Sequence, residues 1–280
     1  MKISKYRIKS TFKLTLIHIL LLVGVIIMVF PFYWMVISSF KTAGDILGMP
    51  PSWWPNPISF ESYIDMSNRI NLLRVYFNSI YICVIITIVT IYGSSLIGYI
   101  LAKFTFRGRT ILFIGIIATM MIPFEVRMLP LYSLVVNWGL MNTYTGLVFP
   151  SLLSTFGIFL LRQNALSIPN DLLDAGTIDG CSEWKKFFHI VHPLCWPVSS
   201  ALAIFTFMWN WDNFLWPLLV VMDRDMHTLQ LALSSLVGAD NIRWGVVMAG
   251  AVSSSIILLI VFFIFKRNII RGIAMSGIKG

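Results

Sequence analysis

The stretch SIPNDLLDAGTIDGCSEWKKFFHIVHPLCWP, residues 167–197, decides the architecture predicted for this chain. It is polar and has the residue spacing of helices, yet it stands between two strongly hydrophobic stretches. Ser167 is expected to cap a first helix, because a serine oxygen accepts hydrogen bonds from the free N–H groups at a helix start. Leu172, Leu173 and Ala175 would give that helix an apolar side.

A turn and a second helix are predicted in the second half of this stretch. Residues 179–180, Asp-Gly, form a turn dipeptide, and Ser182 suits the cap of the helix that follows. Lys185 and Lys186 are expected on a polar face, and Pro193 is expected to end the helix. The opposite face carries apolar side chains at spacings i, i+3, i+4 and i+7, namely Trp184, Phe187, Phe188 and Val191.

We expect this helix–turn–helix, called the docking segment below, to bind a partner in the aqueous phase. Its small residues Ala175, Gly176 and Gly180 would let the surface of a partner approach closely. The apolar stripe would pack against the ends of the neighbouring hydrophobic stretches. The alternative is an amphipathic hairpin that lies on the lipid headgroups.

The composition places the chain in a membrane. Of its 280 residues, 58% are hydrophobic and only 12% are charged, and the mean hydropathy is +0.82. Soluble domains carry about 25% charged residues. The net charge of +9 could suggest nucleic acid, but the basic residues lie between the hydrophobic stretches, where membrane topology puts them. The three cysteines lack metal-ligand spacing and are expected to be reduced.

The hydrophobic stretches predict an all-α integral membrane fold with six transmembrane helices and the docking segment between spans four and five. A spanning helix needs about 20 mostly apolar residues. The first stretch is too long for a signal peptide and is expected to be an uncleaved span. The predicted organisation is an N-terminus of residues 1–13, a permeation domain of 14–265 and a C-terminal tail of 266–280. The predicted spans are 14–37, 77–101, 110–135, 144–161, 198–221 and 246–265.

Spans three and four are interrupted, which distinguishes them from the others. Pro123 and Pro130 fall within span three, and Pro150 and Gly157 fall within span four, which is also rich in serine and threonine. Broken, polar spans are tolerated where they pack on protein or line a wet cavity. We therefore expect spans three to five to line a pathway, although ordinary kinks in a bundle would give the same pattern.

The positive charges predict the orientation in the membrane. Six spans put both termini and the docking segment on one side, and that side carries fifteen of the 21 Lys and Arg residues. Cytoplasmic loops carry the excess of Lys and Arg. The chain is therefore expected to be a multi-pass protein of the cytoplasmic membrane, with both termini and the docking segment in the cytoplasm.

A second cluster, WNWDNFLWP at residues 209–217, carries flat aromatic rings beside planar polar groups, which suits a sugar. Glu125, Arg127 and Asp212 are expected at one level in the outward half of the membrane, where charged groups usually face an interior or a cavity. An interfacial aromatic belt and a dock for an external binding protein are the alternatives. The predicted pathway residues are Glu125, Arg127, Trp209, Asn210, Trp211, Asp212 and Asn213.

The docking segment resembles the EAA loop of ABC-importer permeases, whose pattern is Glu-Ala-Ala, a glycine four positions later and an Ile-x-Leu-Pro ending. Asp174, Ala175 and Gly176 stand at Glu-Ala-Ala, Gly180 at the glycine, and residues 190–193 at the ending. The chain departs from the pattern by Asp for Glu, Gly for the second Ala and His for Leu. The residues implied to contact an ATPase are Asp174, Ala175, Gly176, Asp179, Gly180 and Trp184.

The resemblance covers nearly the whole chain and is to the smaller, six-span permease of the maltose-type, carbohydrate branch. It is carried by PFYWMVISSFKTAGDI at 31–46, MMIPFEVRMLPLY at 120–132, WNWDNFLWPL at 209–218 and RGIAMSGIKG at 271–280. A tail of this type is implied to reach between two ATPase subunits, where glycines would keep it flexible. The tail residues expected to make contact are Arg271, Gly272, Ser276 and Gly277.

The resemblance implies partners rather than cofactors of its own for this chain. The expected partners are a second permease subunit in a heterodimer, two ATP-binding subunits and an extracellular solute-binding protein. The chain holds no G-x-x-x-x-G-K-[ST] phosphate loop, so ATP and Mg²⁺ are expected on the ATPase subunits and none on this chain. The implied function is import of a sugar or oligosaccharide.

Other functions remain as alternatives. A secondary transporter would need buried ionisable relays at the midplane or inverted repeats. A membrane enzyme would need a nucleophile–base pair or a metal set, and none stands out, so no catalytic residue or metal site is predicted. An organophosphate such as glycerol-phosphate is the alternative cargo. It would need cationic groups in the cavity, and the spans carry almost none at mid-depth.

Overall fold

The structure is a computed structural model that describes residues 2–237 and 242–277, with side chains over 13–237 and 242–265. Every regular element in this part of the chain is helical. The α-helices are α1 (Lys2–Ser39), α2 (Ala43–Ile46), α3 (Glu61–Arg69), α4 (Leu72–Lys103), α5 (Arg109–Ala118), α6 (Phe124–Asn137), α7 (Tyr144–Val148), α8 (Thr155–Leu166), α9 (Asn170–Ile178), α10 (Glu183–Lys186), α11 (His192–Trp211), α12 (Leu215–Val220), α13 (Leu229–Ser234) and α14 (Trp244–Gly277). Short 3₁₀ turns lie at Thr119–Met121, Phe149–Ser151 and Arg224–Met226, and a π-helical turn lies at Phe187–Val191.

The predicted membrane fold is confirmed by helix length and composition. Four helices could each cross a bilayer, namely Lys13–Ser39, Leu72–Lys103, Glu183–Trp211 and Trp244–Phe265. Two further pairs pass the same test together, namely Arg109–Met121 with Phe124–Asn137 and Tyr144–Ser151 with Thr155–Leu166. With each bent pair taken as one span, the described residues contain six.

The fifth span differs from the prediction of 198–221. The helix begins at Glu183, ends at Trp211, and is followed by the separate short helix α12. Pro193 does not end the helix, so that expectation was wrong. The residue four positions before Pro193 lies inside the π-helical turn, where the backbone hydrogen bonding already departs from the α-helical pattern. A proline, which cannot donate a bond and crowds the preceding turn, is accommodated at such a bulge.

The interruptions predicted for spans three and four are real breaks. The helix axis turns by 102° just before α6, where Pro123 takes an extended ψ of 149°. Pro130 is instead kept inside α6. The fourth span bends by 48° after the 3₁₀ turn that contains Pro150. The Ser154 side chain restarts it, accepting a hydrogen bond from the Gly157 N–H at 3.0 Å.

Contacts divide the chain into two compact units, residues 71–234 with 256–280 and residues 1–70 with 235–255. In the larger unit, α4 packs along α8 and α11. Two glycines allow this close approach. A Cβ atom on Gly98 would lie 2.8 Å from the backbone nitrogen of Arg162, and one on Gly157 would lie 2.7 Å from Ser94 Oγ. Small residues at helix interfaces are typical of membrane bundles, because they let backbones meet.

In the smaller unit, α3 carries a charged cluster centred on Asp65. Arg69 Nε donates to one carboxylate oxygen at 2.9 Å, and Arg243 Nη1 donates to the other at 2.8 Å. The hydrogen bond from Arg69, with that from Arg243, holds the pKa of Asp65 below its ordinary value. The carboxylate thus ties α3 to the residue that precedes α14.

The two predicted ends of the chain are helical where they are described. Residues 2–13 continue into the first span as part of α1, and residues 266–277 continue α14. The backbone at Gly272, Ser276 and Gly277, where the tail was expected to be flexible, is part of this helix. The last three residues, 278–280, lie outside the described residues, and side chains are described only to residue 265, so the predicted ATPase contacts of Arg271, Gly272, Ser276 and Gly277 stay predictions.

Candidate functional site

The docking segment folds as two helices joined by a turn, with one boundary different from the prediction. Gly180 has φ +74° at the turn, and Ser182 Oγ accepts from the Lys185 N–H at 3.3 Å. Ser167 does not cap the first helix. It ends α8, where its hydroxyl donates to the Asn164 carbonyl at 2.7 Å. Because the residue before a proline is disfavoured in helical conformation, the new helix starts only after Pro169.

The predicted apolar stripe of the second helix is split. Phe187 and Val191 are buried, with Phe187 2% exposed, whereas Trp184 is 62% exposed and stacks on the exposed ring of Phe188 at 6.3 Å. The stripe assumed α-helical spacing, and the π-helical turn that begins at Phe187 changes the spacing along the second half. One pair therefore packs into the core and the other faces outward.

Lys186 and Gly176 are also placed differently from the prediction. Lys186 is only 6% exposed, and its ammonium group contacts Glu183 Oε1 at 2.7 Å. A Cβ atom on Gly176 would lie 3.0 Å from Ile190 Cδ1 and 3.5 Å from the Lys186 stem. Gly176 thus lies where the two helices of the docking segment pack closely, and it is buried within this chain.

The rest of the predicted ATPase-contact set is accessible. Ile178, at the end of α9, is 88% exposed. The exposed members of the predicted set are Asp174, Ala175, Asp179, Gly180 and Trp184.

A cavity of about 710 Å³ lies among α4, α6, α8 and α11 in the larger unit. This volume is in the range typical of ligand pockets. Thr90 of α4 lines it as well, so the second span joins the three expected to do so. Six of the predicted pathway residues line the cavity, namely Glu125, Arg127, Trp209, Asn210, Asp212 and Asn213.

Trp211 is the member of that set that does not line the cavity. It is 2% exposed and stacks on Phe207 at 5.9 Å, with Tyr76 at 6.4 Å. Trp209 is instead exposed and meets Phe156 edge-on at 6.4 Å. Residues two positions apart on an α-helix differ by about 200° around the helix axis, so the rings of Trp209 and Trp211 cannot face the same space.

Hydrogen bonds orient the polar side chains of the cavity. Asp212 Oδ1 accepts from Gln230 Nε2 at 3.3 Å, and Asn213 Oδ1 accepts from the Trp216 N–H at 3.3 Å. Asn210 Nδ2 donates to the Thr206 carbonyl at 2.7 Å. Carboxylate and amide oxygens are thus fixed where the chain leaves α11.

Sequence reasoning missed several polar residues of the cavity wall. The missed residues are Thr90, Thr119, Ser151, Ser154, Thr155 and Thr206. The richness of span four in serine and threonine could have identified the three that lie in that span, Ser151, Ser154 and Thr155, since hydroxyl groups in a broken span have a use where they meet water or a ligand.

The histidine pair of the docking segment has partners of its own. His189 Nδ1 lies 3.1 Å from the Lys185 carbonyl oxygen, and the His192 ring stacks on Tyr92 at 4.7 Å. Within the described residues there is no group of three or more His, Cys, Asp or Glu that could hold a metal ion. The geometry of this region is that of helix packing.

Comparison with known proteins identifies a family. A family model described as "Binding-protein-dependent transport system inner membrane component" matches residues 94–274. The arabinooligosaccharides transport system permease protein AraQ of Bacillus subtilis is 35% identical over 280 residues, which cover 99% of this chain and 97% of the relative. The lactose transport system permease protein LacG of Rhizobium radiobacter is 34% identical over 89% of this chain and 90% of its own length.

A second kind of transported molecule occurs among the relatives. The sn-glycerol-3-phosphate transport system permease protein UgpE of Agrobacterium fabrum is 33% identical over 91% of this chain and 94% of the relative. Among solved structures, a chain of a bacterial ABC transporter involved in the import of the acidic polysaccharide alginate aligns with a TM-score of 0.78. It covers 90% of this chain and 94% of its own length at 20% identity, which supports the fold alone.

Proposed function

Because the chain belongs to the family of binding-protein-dependent transport system inner membrane components, we propose that it is a permease subunit of an ABC importer for a sugar or oligosaccharide. The energy comes from ATP hydrolysed on separate subunits. A binding-protein-dependent system is energised by a partner subunit and not by an ion gradient. Membership of this family therefore disfavours the alternative of an ion-driven secondary transporter.

The cavity beside α11 is the observation that supports a sugar as the transported molecule. It offers an exposed indole, that of Trp209, beside amide and carboxylate groups at Asn210, Asp212 and Asn213. A sugar ring has apolar faces and a rim of hydroxyl groups, so an aromatic face with planar polar groups around it suits both surfaces. The named cargoes of AraQ and LacG, arabinooligosaccharides and lactose, support the same class.

An organophosphate is the second candidate, supported by the relatives named for sn-glycerol-3-phosphate. The charges of the cavity decide between the two. Glu125 and Asp212 line it with only one basic residue, Arg127, so the wall contributed by this chain is not cationic. A phosphate would meet two carboxylates and one guanidinium, and like charges brought together in a cavity are unfavourable. A neutral sugar avoids this repulsion.

The exposed face of the docking segment is proposed to receive the ATPase. ATP and Mg²⁺ bind there, on the partner, and this chain supplies Asp174, Ile178 and Trp184 as the contact surface. The full assembly contains a second permease, two ATP-binding subunits and an extracellular solute-binding protein. Both termini and the docking segment lie in the cytoplasm, as the excess of Lys and Arg on that side favours.

Reconstitution tests the function. The chain is co-expressed with the permease, ATPase and binding-protein genes adjacent to its own, and the complex is placed in proteoliposomes. Uptake of the labelled sugar that the binding protein retains should require ATP inside the vesicle. Uptake of glycerol-phosphate in place of every sugar tried would establish the second candidate instead.

Substitution of Asp212 tests the cavity itself. The substitution Asp212→Asn keeps the shape of the side chain and removes its charge. Uptake should fall by about tenfold, because one charged hydrogen bond to a sugar hydroxyl is lost. Trp138→Ala is the control, since this half-exposed residue packs on Phe149 and does not line the cavity. Equal uptake by both variants and the wild type would place the sugar elsewhere.

A further inference from the structure

We propose that α4, the second span, receives the movement of the docking segment through Tyr99 and Lys103 and carries it to the wall of the cavity. This inference rests on the function proposed above. It assigns a positioning role to two side chains that lie far from the docking segment in sequence.

Tyr99 and Lys103 are one helical turn apart, so they project from the same face of α4. The Tyr99 hydroxyl donates to Glu183 Oε2 at 3.0 Å, at the start of α10. The Lys103 ammonium group donates to the Ile168 carbonyl and, at 2.8 Å, to Asn170 Oδ1, at the start of α9. Each helix of the docking segment is therefore attached to α4 by its own polar contact.

The attachment continues into the interior of the docking segment. Glu183 accepts from Tyr99 with one oxygen and from the buried Lys186 with the other. The stem of Lys186 in turn packs beside Gly176 of α9. The Lys186 side chain is 7% exposed and contacts Glu183, which is 53% exposed, so this contact continues the connection from Tyr99 into the docking segment.

The same faces are joined by apolar packing. Tyr99, Phe187, Val191 and Leu202 belong to one buried cluster that also includes Leu173 of α9. The polar contacts at Tyr99 and Lys103 thus lie at the edge of a shared core. They fix the position of the docking segment along and around α4, which non-directional packing alone does not do.

The other end of this connection is the cavity. Nine residues before Tyr99, or roughly 13 Å along the helix, Thr90 lines the cavity and donates to the Ser151 carbonyl at 3.2 Å. Ser94 donates to the carbonyl of Ser154, another residue of the wall, at 3.4 Å. Because α4 is continuous from Leu72 to Lys103, a displacement at Lys103 reaches Thr90 without an intervening hinge.

The first test measures coupling in the reconstituted transporter. Tyr99→Phe with Lys103→Met removes the donors and keeps the apolar bulk. Sugar transported per ATP hydrolysed should fall by about fivefold or more, the low end of a typical coupling effect. ATPase subunits should still co-purify, and Lys103→Arg, which restores a donor, should recover part of the ratio. Tyr92→Phe on the same helix is the control, because it keeps the ring that stacks on His192.

An unchanged ratio of transport to hydrolysis in the double variant would overturn the proposal. Loss of the ATPase subunits from the purified complex would overturn it as well, since the contacts would then support docking and not transmission. Wild-type complex that hydrolyses ATP but moves no sugar would instead contradict the proposed function.

The second test does not depend on the cargo. Spin labels at Leu172 and at Leu73, which are 45% and 87% exposed, report the distance between the docking segment and α4 in a Cys181→Ser background. In the wild-type complex, binding of ATP should leave this distance unchanged, because the two elements move as one body. In the double variant the distance should change with ATP. A wild-type distance that changes on ATP binding would refute the proposal whatever the transported molecule is.

Discussion

Replacing Gly98 by alanine should destabilise the protein, although alanine favours a helix. In a helix interior alanine is preferred over glycine by about 1 kcal/mol. At Gly98 the added Cβ would lie 2.8 Å from the Arg162 nitrogen and 3.0 Å from the Leu161 carbonyl carbon. Those are backbone atoms, so α4 and α8 must separate, and overpacking of this kind costs about 1–3 kcal/mol.

Gly115→Ala is the matched control for this prediction. Gly115 lies inside α5 and has nothing within 4 Å of its Cβ position, so only the gain in helix preference applies. The two alanine variants should therefore differ by about 1–3 kcal/mol, which corresponds to roughly 2–6 °C in unfolding temperature.

The buried cysteines provide the assay. Cys83 and Cys195 are each 1% exposed, so a thiol-reactive fluorophore labels them only as the detergent-solubilised protein unfolds. Cys181 is partly exposed and is replaced by serine in all variants. An unfolding temperature of Gly98→Ala equal to or above that of Gly115→Ala would refute the reasoning that close backbone contact limits this position.

Three further predictions address the charged cluster, the cavity and the docking segment. Asp65 has a lowered pKa in the folded protein, mainly because of its hydrogen bond with Arg69. Its stabilising effect is therefore present above its ordinary pKa of about 3.9 and is lost as pH falls through the folded value. The difference in unfolding temperature between wild type and Asp65→Asn should shrink on acidification, and a constant difference would contradict this. Trp209→Ala should raise the sugar concentration for half-maximal uptake and leave the unfolding temperature unchanged, whereas Trp211→Ala should lower the free energy of unfolding by about 3–5 kcal/mol. An effect of Trp211→Ala on uptake alone and of Trp209→Ala on stability alone would show that the cavity is misplaced. Ile178→Asp should abolish co-purification of the ATPase subunits with no change in unfolding temperature, because the side chain is exposed in the isolated chain, and retention of those subunits would show that the contact surface lies elsewhere.

Local features of the docking segment were predictable because they depend on neighbours in sequence. The turn at Gly180 and the cap at Ser182 each require only a few consecutive residues with the right backbone freedom or side-chain oxygen. The error at Ser167 was also local. Pro169 disfavours the helical conformation of Ile168, and this effect outweighed the preference of Ser167 for a cap position.

Errors in the second helix of the docking segment have a tertiary cause. Lys186 was expected on the polar face of the second helix, but its side chain is buried, with its ammonium group at Glu183 and its stem beside Gly176 of α9. Gly176 was expected to face a partner and instead accommodates that packing. Neither position could be inferred from periodicity, because each depends on contacts between the two helices of the docking segment.

The sequence by itself determined that this chain is a helical membrane protein with up to six spans and where the broken spans lie. Hydrophobic length, proline position and charge distribution are properties of the chain, and the membrane allows few folds for them. Only the tertiary structure decided which residues share a surface. Glu125 and Asp212 reach one cavity, and Tyr99 reaches Glu183, across long separations in sequence that are closed by the packing of α4 against α8 and α11.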